Sequence, residues 1–251
     1  MKIKTVKIKN FRSYKNEVEI EFGNLTAFVG KNDIGKSTVL EALDIFFNDG
    51  KGVIKLDKDD VNKLALVEGD TETVISVCFE ELPANIIIDS TNQTTLQAEY
   101  LLNSSNQLEI IKKYSNAGKE RVFVKANHPT SDTCKDLLLK KNTELQKIIK
   151  DNAVTCSNQT INAVMRTSIW QHFIADLQLS EIEIDVTKGE TKSIWDKLQS
   201  YLPLYSLFQS DRKNSDGDDE VQDPLKEAVK QMLNDATVKA KFEEIASEVK
   251  N

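Results

Sequence analysis

The chain carries a glycine-rich run between an apolar segment and an amphipathic one. That run is Gly30-Lys31-Asn32-Asp33-Ile34-Gly35-Lys36-Ser37, which fits the pattern G-x-x-x-x-G-K-[ST] in full. The preceding Leu25–Val29 is continuously apolar, which is typical of a strand covered on both faces. After the run, apolar residues recur at intervals of three and four, which predicts a helix from about Lys36 to Asn48-Asp49-Gly50. A strand, a glycine-rich turn and a helix in this order predict a phosphate-binding P-loop.

The spacing of this run assigns a physical role to each kind of residue. Gly30 and Gly35 allow a tight turn, so that the backbone amides of Asp33–Ser37 converge on an anion at the positive end of the helix. We therefore expect a triphosphate, with Lys36 at its β and γ phosphates as the catalytic residue and with Ser37 as a ligand of a bridging Mg²⁺. Thr38 either offers a second hydroxyl near the α phosphate or is an ordinary residue of the first helical turn. The predicted nucleotide-binding residues of the motif are Gly30, Lys31, Asn32, Asp33, Ile34, Gly35, Lys36, Ser37 and Thr38.

Alternating patterns around the P-loop predict an antiparallel β meander. Lys2–Phe11 alternates Lys with Ile and Val, and Val18–Phe22 alternates apolar residues with Glu, so the two predict a hairpin with a turn near Ser13–Asn16. Beyond residue 72, short polar loops separate further predicted strands. These strands are Thr73–Phe79, Gln97–Leu102, Leu108–Lys113 and Arg121–Lys125.

The chain beyond Pro129 is predicted to be mainly helical. We expect a helical insertion over Ser131–Ser200, one more strand at Tyr205–Phe208, and helices that begin after the acidic run Asp211–Asp223. The predicted fold class is α/β. The predicted domains are a P-loop lobe with its meander at 1–130, a helical insertion that could serve dimerisation at 131–200, and a return strand, acidic loop and C-terminal helices of the lobe at 201–251.

Composition narrows the class of protein further. The 251 residues include 33 Lys and Arg against 40 Asp and Glu, a net charge of −7, so contact with nucleic acid requires a local basic patch. The three Cys form no C-x-x-C pair, which argues against a zinc knuckle and a disulfide framework. No stretch approaches the about 20 apolar residues that a transmembrane helix needs. We expect a cytoplasmic protein with no membrane partner.

Segments on both sides of the P-loop carry a resemblance to a known family. They are Val6-Lys7-Ile8-Lys9-Asn10-Phe11-Arg12-Ser13-Tyr14, Leu25-Thr26-Ala27-Phe28-Val29-Gly30-Lys31-Asn32 and Lys36-Ser37-Thr38-Val39-Leu40-Glu41-Ala42-Leu43. Together they resemble the N-terminus of RecF/SMC-type ABC ATPases, and especially the OLD-family ATP-dependent endonucleases, which include the Gabija defence nuclease. Leu204–Asp223 is also similar to segments of those ATPases.

The resemblance implies a P-loop NTPase of the ABC/SMC-like N-terminal type, with ATP and Mg²⁺ as ligands and a role in DNA repair or phage defence. It implies that Arg12 lies near the nucleotide phosphates, where the alternative is a solvated hairpin arginine. It also implies that Asp60 approaches the metal, where the alternative is a solvated acidic loop.

A hydrolytic head of this family needs further segments that the sequence does not convincingly provide. Val74–Phe79 before Glu80-Glu81, and Ile86–Asp89, imitate the apolar strand that ends in Asp-Glu, but we interpret both as ordinary strand ends. No Leu-Ser-Gly-Gly-like signature and no Toprim-like acidic cluster follows. We therefore expect an N-terminal portion that binds ATP, hydrolyses it slowly or not at all alone, and is completed by a homodimer mate or a C-terminal half.

The hairpin also holds the clearest basic patch, formed by Lys7, Lys9, Arg12 and Lys15. These residues suit contacts with a DNA backbone without sequence readout. Alternatively, they pair across the hairpin with Glu17, Glu19 and Glu21. The second functional hypothesis is accordingly a nucleotide-sensing module that dimerises on ATP and acts through a protein partner without DNA contact.

Overall fold

The computed structural model describes residues 1–31, 35–49, 51–88, 92–188 and 191–207. The chain is divided into two compact units. The first comprises Met1–Val39 and Leu56–Pro203, and the second comprises Leu40–Lys55 and Leu204–Asn251. The described part of the second unit is 40–49, 51–55 and 204–207. The division predicted from the sequence at residues 130 and 200 stays a prediction.

A six-stranded antiparallel sheet organises the first unit, in the order β2-β1-β3-β4-β5-β6. This sheet confirms the predicted antiparallel meander, and together with the helices it confirms the predicted α/β fold class. The hairpin pairs Thr5 with Glu21 and Lys7 with Glu19. The strands are β1 Lys2–Lys9, β2 Val18–Glu21, β3 Glu72–Glu80, β4 Leu108–Ser115, β5 Glu120–Pro129 and β6 Leu179–Asp185.

One face of this sheet is apolar and forms the core of the first unit. Val6, Val77, Ile110 and Val124 are neighbours across four strands, and none of them is exposed to solvent. The opposite face carries the charged partners of the same alternation, such as Lys7 and Glu109. The alternation thus places apolar side chains on one face, whereas polar residues of the opposite face, such as Ser76 and Glu109, are also buried and are hydrogen-bonded to each other.

Helices connect and flank the strands. The helix predicted after the P-loop is confirmed as α1, Lys36–Asn48. The other α-helices are α2 Lys63–Val67, α3 Asn142–Asp151, α4 Asn162–His172 and α5 Thr191–Leu198. Short 3-10 helices lie at Lys58–Asp60, Leu137–Leu139, Ile174–Asp176 and Gln199–Tyr201. In the described part of the chain, no helix is long and apolar enough to span a bilayer.

Two of the strands predicted before Pro129 are absent. Leu25–Val29 is not a strand, and Leu25 and Val29 are each 92% exposed, because an apolar run becomes a buried strand only where other strands supply its ladder and cover its faces. Gln97–Leu102 forms turns, since buried Glu99 turns toward α4 to pair with Arg166 at 2.7 Å.

The predicted helical insertion contains an unpredicted strand. β6 shows the alternation Leu179-Ser-Glu-Ile-Glu-Ile-Asp and pairs with β5 along its whole length. Further along, Tyr205–Leu207 is not a strand, while Phe208, the acidic run Asp211–Asp223 and the helices predicted after it lie outside the described residues. The thiols are free, as predicted, and Cys78 and Cys134 are buried.

Candidate functional site

The P-loop motif ends on the first turn of α1, which begins at Lys36. The Lys36 ammonium donates hydrogen bonds to the carbonyl oxygens of Gly30, at 2.6 Å, and of Lys31. The side chain therefore folds back over the start of its own motif. Ser37 is exposed and Thr38 is buried, which fits the interpretation of Thr38 as a first-turn residue. Asn32, Asp33 and Ile34 lie outside the described residues.

A tight turn after β1 packs directly against the P-loop. Phe11 and Tyr14 exchange backbone hydrogen bonds of 2.9 Å, and the Tyr14 hydroxyl donates to the Gly35 carbonyl at 3.1 Å. Burial raises the pKa of Tyr14. The structure thus brings the N-F-R-S-Y segment and the glycine-rich loop together. Ser13 and Tyr14 make that contact, although the sequence reasoning selected only Arg12 from the segment.

Buried polar groups anchor this turn to the sheet. Asn10 is fully buried, and its φ of 52° lies in the left-handed region that Asn tolerates better than most residues. Its side-chain amide donates to the carbonyl of Asp70 at 2.9 Å, and its side-chain oxygen accepts from the Asn62 N–H at 3.1 Å. The Thr73 hydroxyl donates to the Asn10 carbonyl at 2.8 Å. Sequence patterns gave no signal for this network, because its partners lie 52 to 63 residues away.

Arg12 and Asp60, predicted separately as a phosphate contact and a metal ligand, contact each other. Arg12 Nε donates to Asp60 Oδ1 at 2.8 Å, and the Arg12 N–H donates to the Asp60 carbonyl at 2.6 Å. The other carboxylate oxygen, Oδ2, accepts from the Asp57 N–H at 2.8 Å. The Arg12 guanidinium also lies over the Phe11 ring, 5.1 Å from its centroid.

A family model described as an AAA ATPase domain matches residues 1–251. The chain belongs to this family. Membership agrees with the P-loop fold and implies ATP binding and ATPase chemistry for the AAA ATPase domain. No curated protein matches the chain.

Solved structures similar to this AAA ATPase domain include three SMC chains at low identity. One comes from work on ATP-driven dimerisation and DNA-stimulated activation of SMC ATPases; it is 16% identical, with a TM-score of 0.35, over 61% of this chain and 99% of that one. A second is an SMC head bound to the C-terminal winged-helix domain of ScpA, 15% identical, with a TM-score of 0.34, over 66% of this chain and 55% of that one. The third is the SMC head domain of Thermotoga maritima, 15% identical, with a TM-score of 0.31, over 79% and 72%.

The described residues of the domain fit a polyphosphate with magnesium. The first turn of α1 holds no acidic side chain, so its amide dipoles and the Lys36 ammonium favour an anion there. The exposed Ser37 hydroxyl is an oxygen donor of the kind that Mg²⁺ prefers. No group of three or more His, Cys, Asp or Glu that could hold a metal occurs among the residues that the structure describes.

The basic residues of the hairpin have acidic partners from other parts of the first unit. Lys7 pairs with Glu109 of β4 at 2.9 Å, Lys9 with Asp70 at 3.1 Å and Lys15 with Glu68 at 2.5 Å. The alternative of pairing with Glu17, Glu19 and Glu21 is met only in part: Lys7 lies opposite Glu19 in the hairpin, but β4 and the segment before β3 supply the carboxylates of these three ion pairs. Their positive charge is nevertheless compensated.

Glu80-Glu81, which imitates the Asp-Glu pair of a hydrolytic head, lies at the end of β3 and agrees with the interpretation as an ordinary strand end. Glu80 is the last residue of β3 and lies 3.4 Å from the Lys2 ammonium and 4.0 Å from that of Lys4. Its carboxylate is thus engaged with β1. The other segment that imitates such a strand is Ile86–Asp89. Its first residue, Ile86, forms an isolated β-bridge with Thr94, and Asp89 lies outside the described residues.

Proposed function

We propose that this chain is the ATP-binding lobe of an OLD/RecF-like DNA-processing ATPase, in which bound nucleotide gates DNA repair or anti-phage cleavage. The observation that carries the proposal is the contact of Ser13 and Tyr14 with Gly35, which joins the N-F-R-S-Y turn to a complete P-loop motif. A P-loop alone does not distinguish kinases, GTPases and ABC-like ATPases. The adjoining turn is the feature that favours the RecF/SMC-type assignment.

The side chains of the site have separate tasks in this proposal. Lys36 exchanges the Gly30 and Lys31 carbonyls for β and γ phosphate oxygens, as one set of oxygen acceptors replaces another. Ser37 offers its hydroxyl to the magnesium ion that accompanies the nucleotide. Arg12, on the turn beside Gly35, faces the same polyphosphate as a second cation. ATP with magnesium supplies the phosphoanhydride bond whose cleavage drives the gating.

The proposal includes a second subunit or a further part of the protein that completes the catalytic site. Polarising the attacking water requires a carboxylate beside the phosphates, whereas Glu80 is engaged by Lys2 and Lys4 at the end of β3. In this proposal, a homodimer mate or a C-terminal half provides that group. The chain by itself is expected to bind ATP and to turn it over slowly or not at all.

Calorimetry with ATP and Mg²⁺ tests the ATP site directly. We expect measurable heat for the wild-type chain and at least about tenfold weaker binding for Lys36→Ala, because the variant loses a charge that faces the phosphates. Lys147→Ala is a matched control, since it removes the same charge from an exposed position on α3 and should bind like wild type. Absence of heat for the wild type, or equal heat for Lys36→Ala, would refute the proposal.

A second candidate function is favoured by the compensated hairpin charges. Because Lys7, Lys9 and Lys15 all have acidic partners, the hairpin is less suited to DNA than its sequence indicates. The alternative is a nucleotide-sensing module that dimerises on ATP and acts through a protein partner. It is distinguished from the first by ATP-dependent dimerisation without salt-sensitive DNA binding.

A further inference from the structure

Asp60 is held rigidly at the end of a short 3-10 helix. The helix Lys58–Asp60 begins with a capping box, in which the Asp57 carboxylate accepts from the Asp59 N–H and the Asp60 carboxylate accepts from the Asp57 N–H. The Asp60 side chain is only 15% exposed. One oxygen of the Asp60 carboxylate is thus held by the Asp57 N–H, and the other accepts a hydrogen bond from Arg12 Nε.

Arg12 is held through both its backbone and its side chain. Its backbone N–H donates to the Asp60 carbonyl, its own carbonyl accepts from the Asn62 side chain at 2.6 Å, and its guanidinium lies between Asp60 Oδ1 and the Phe11 ring. The residue has a φ of 49°, in the left-handed region, so the turn needs such external bonds to hold its shape. Among these contacts, the one with the Asp60 carboxylate orients the charged end of the side chain.

We propose that Asp60 is a positioning residue that orients Arg12 toward the nucleotide phosphates, and that it is not a ligand of the magnesium ion. The inference rests on the proposed ATP site. Both Asp60 oxygens accept a hydrogen bond, one from Arg12 Nε and the other from the Asp57 N–H, so the carboxylate is already directed at Arg12 before any ligand binds. A positioning role keeps both, and uses the planar guanidinium, which binds carboxylate and phosphate through separate N–H groups.

The direction in which Asp60→Asn changes ATP affinity distinguishes the positioning role from a purely electrostatic effect of the Asp60 charge. Removing a negative charge beside a bound polyphosphate should by itself strengthen binding, because it relieves Coulomb repulsion between like charges. If Asp60 orients Arg12, Asp60→Asn instead weakens the binding, because the guanidinium loses its charged partner. Asp59→Asn is the matched control: Asp59 is the adjacent exposed residue of the same 3-10 helix and undergoes the same change of charge.

The experiment measures ATP affinity by calorimetry for wild type, Asp60→Asn, Asp59→Asn, Arg12→Ala and the double variant Arg12→Ala/Asp60→Asn, each in Mg²⁺ and in EDTA. We expect Asp60→Asn to weaken binding about fivefold in both media and to have no further effect on Arg12→Ala, because the two residues act as one unit. Asp59→Asn should bind as well as wild type or slightly better. Thermal unfolding of each variant checks that the turn remains folded.

Three results would overturn the inference. A loss confined to Mg²⁺ that persists in the Arg12→Ala background would make Asp60 a metal ligand. Unchanged or tighter binding by Asp60→Asn would mean that Asp60 does not assist Arg12. If Asp60→Asn does not fold, Arg12→Lys replaces it, and binding as tight as wild type by that variant also contradicts the inference, since Lys keeps the charge but loses the Nε–H donor. Wild-type binding that is lost in Lys36→Ala shows separately that the ATP site itself is present.

Discussion

Gly35 is needed for two independent reasons. Its φ of +92° is a conformation that residues with a Cβ atom rarely adopt. In addition, a Cβ atom there would lie 2.7 Å from Ser13 Oγ and 3.0 Å from Tyr14 Oη. The motif in the sequence reveals the first reason. The second depends on a turn that comes 21 residues earlier in the chain and is visible only in the structure.

Replacing Gly35 by Ala should therefore cost more than backbone strain alone. Gly69 has a similar φ of +83°, but no atom lies within 4 Å of the position that a Cβ atom would take there, so Gly69→Ala isolates the strain. We expect Gly69→Ala to lower the free energy of unfolding by about 1 kcal/mol and to leave ATP binding intact. Gly35→Ala should lose roughly 1 to 3 kcal/mol more and should bind ATP poorly, because Ser13 and Tyr14 must move. Urea denaturation and calorimetry of both variants measure this, and equal losses would show that the close approach is unimportant.

At the scale of elements, the sequence predicts those whose periodicity is expressed locally. β1 to β5 and α1 follow from visible periods of two and of three to four residues. β6 has the same period of two, but its position between helical segments led to a helical prediction. Leu25–Val29 fails for a different reason: an apolar run does not reveal whether strands exist to cover it. Gln97–Leu102 fails because the partner of Glu99 lies 67 residues further along the chain.

Glu109 links three neighbouring strands through one buried carboxylate. It accepts hydrogen bonds from Lys7 of β1 at 2.9 Å and from Ser76 of β3 at 3.1 Å, and its other oxygen accepts from Asn103 at 3.2 Å. Burial by itself would raise the pKa of Glu109, but the hydrogen bonds from Lys7 and Asn103 outweigh it and hold that pKa below 4.5. The same carboxylate keeps the pKa of Lys7 above 10.5, against the lowering effect of burial.

Glu109→Gln should destabilise the sheet in a pH-dependent manner. We expect a loss of about 2 kcal/mol in the free energy of unfolding at neutral pH, because a charge-assisted hydrogen bond is removed. The pKa of Glu109 is lowered on folding, so its contribution is present above pH 4.5 and is lost as the pH falls through the folded-state pKa. The difference from wild type should therefore narrow below pH 4.5. Glu183→Gln, which breaks a more exposed pair with Lys113, should cost under about 1 kcal/mol.

At the scale of the whole chain, the sequence gives the number of charged residues but does not show which of them lie close together in the fold. The sequence shows a cluster of hairpin cations in a chain of net charge −7. It does not show that Lys7 meets a carboxylate 102 residues away, or that Lys15 meets one 53 residues away. The strand order places β3 next to β1 and β4 next to β3, which brings Glu109 of β4 and the segment before β3, with Asp70 and Glu68, to the hairpin lysines. The lysines that form a basic patch in the sequence therefore form ion pairs in the folded chain.

This compensation predicts that the hairpin contributes little to DNA binding. Each lysine that neutralises a DNA phosphate adds about 0.9 to the slope of log K against log salt, so two such lysines would add about 1.8. Lys9→Gln/Lys15→Gln removes the two more exposed ammonium groups, and we expect the slope for duplex binding by the chain to change by less than about 0.9. Fluorescence anisotropy over a salt series measures the slope. A decrease near 1.8 would show that DNA displaces Asp70 and Glu68 from these lysines, and would restore the hairpin as a DNA-contacting surface.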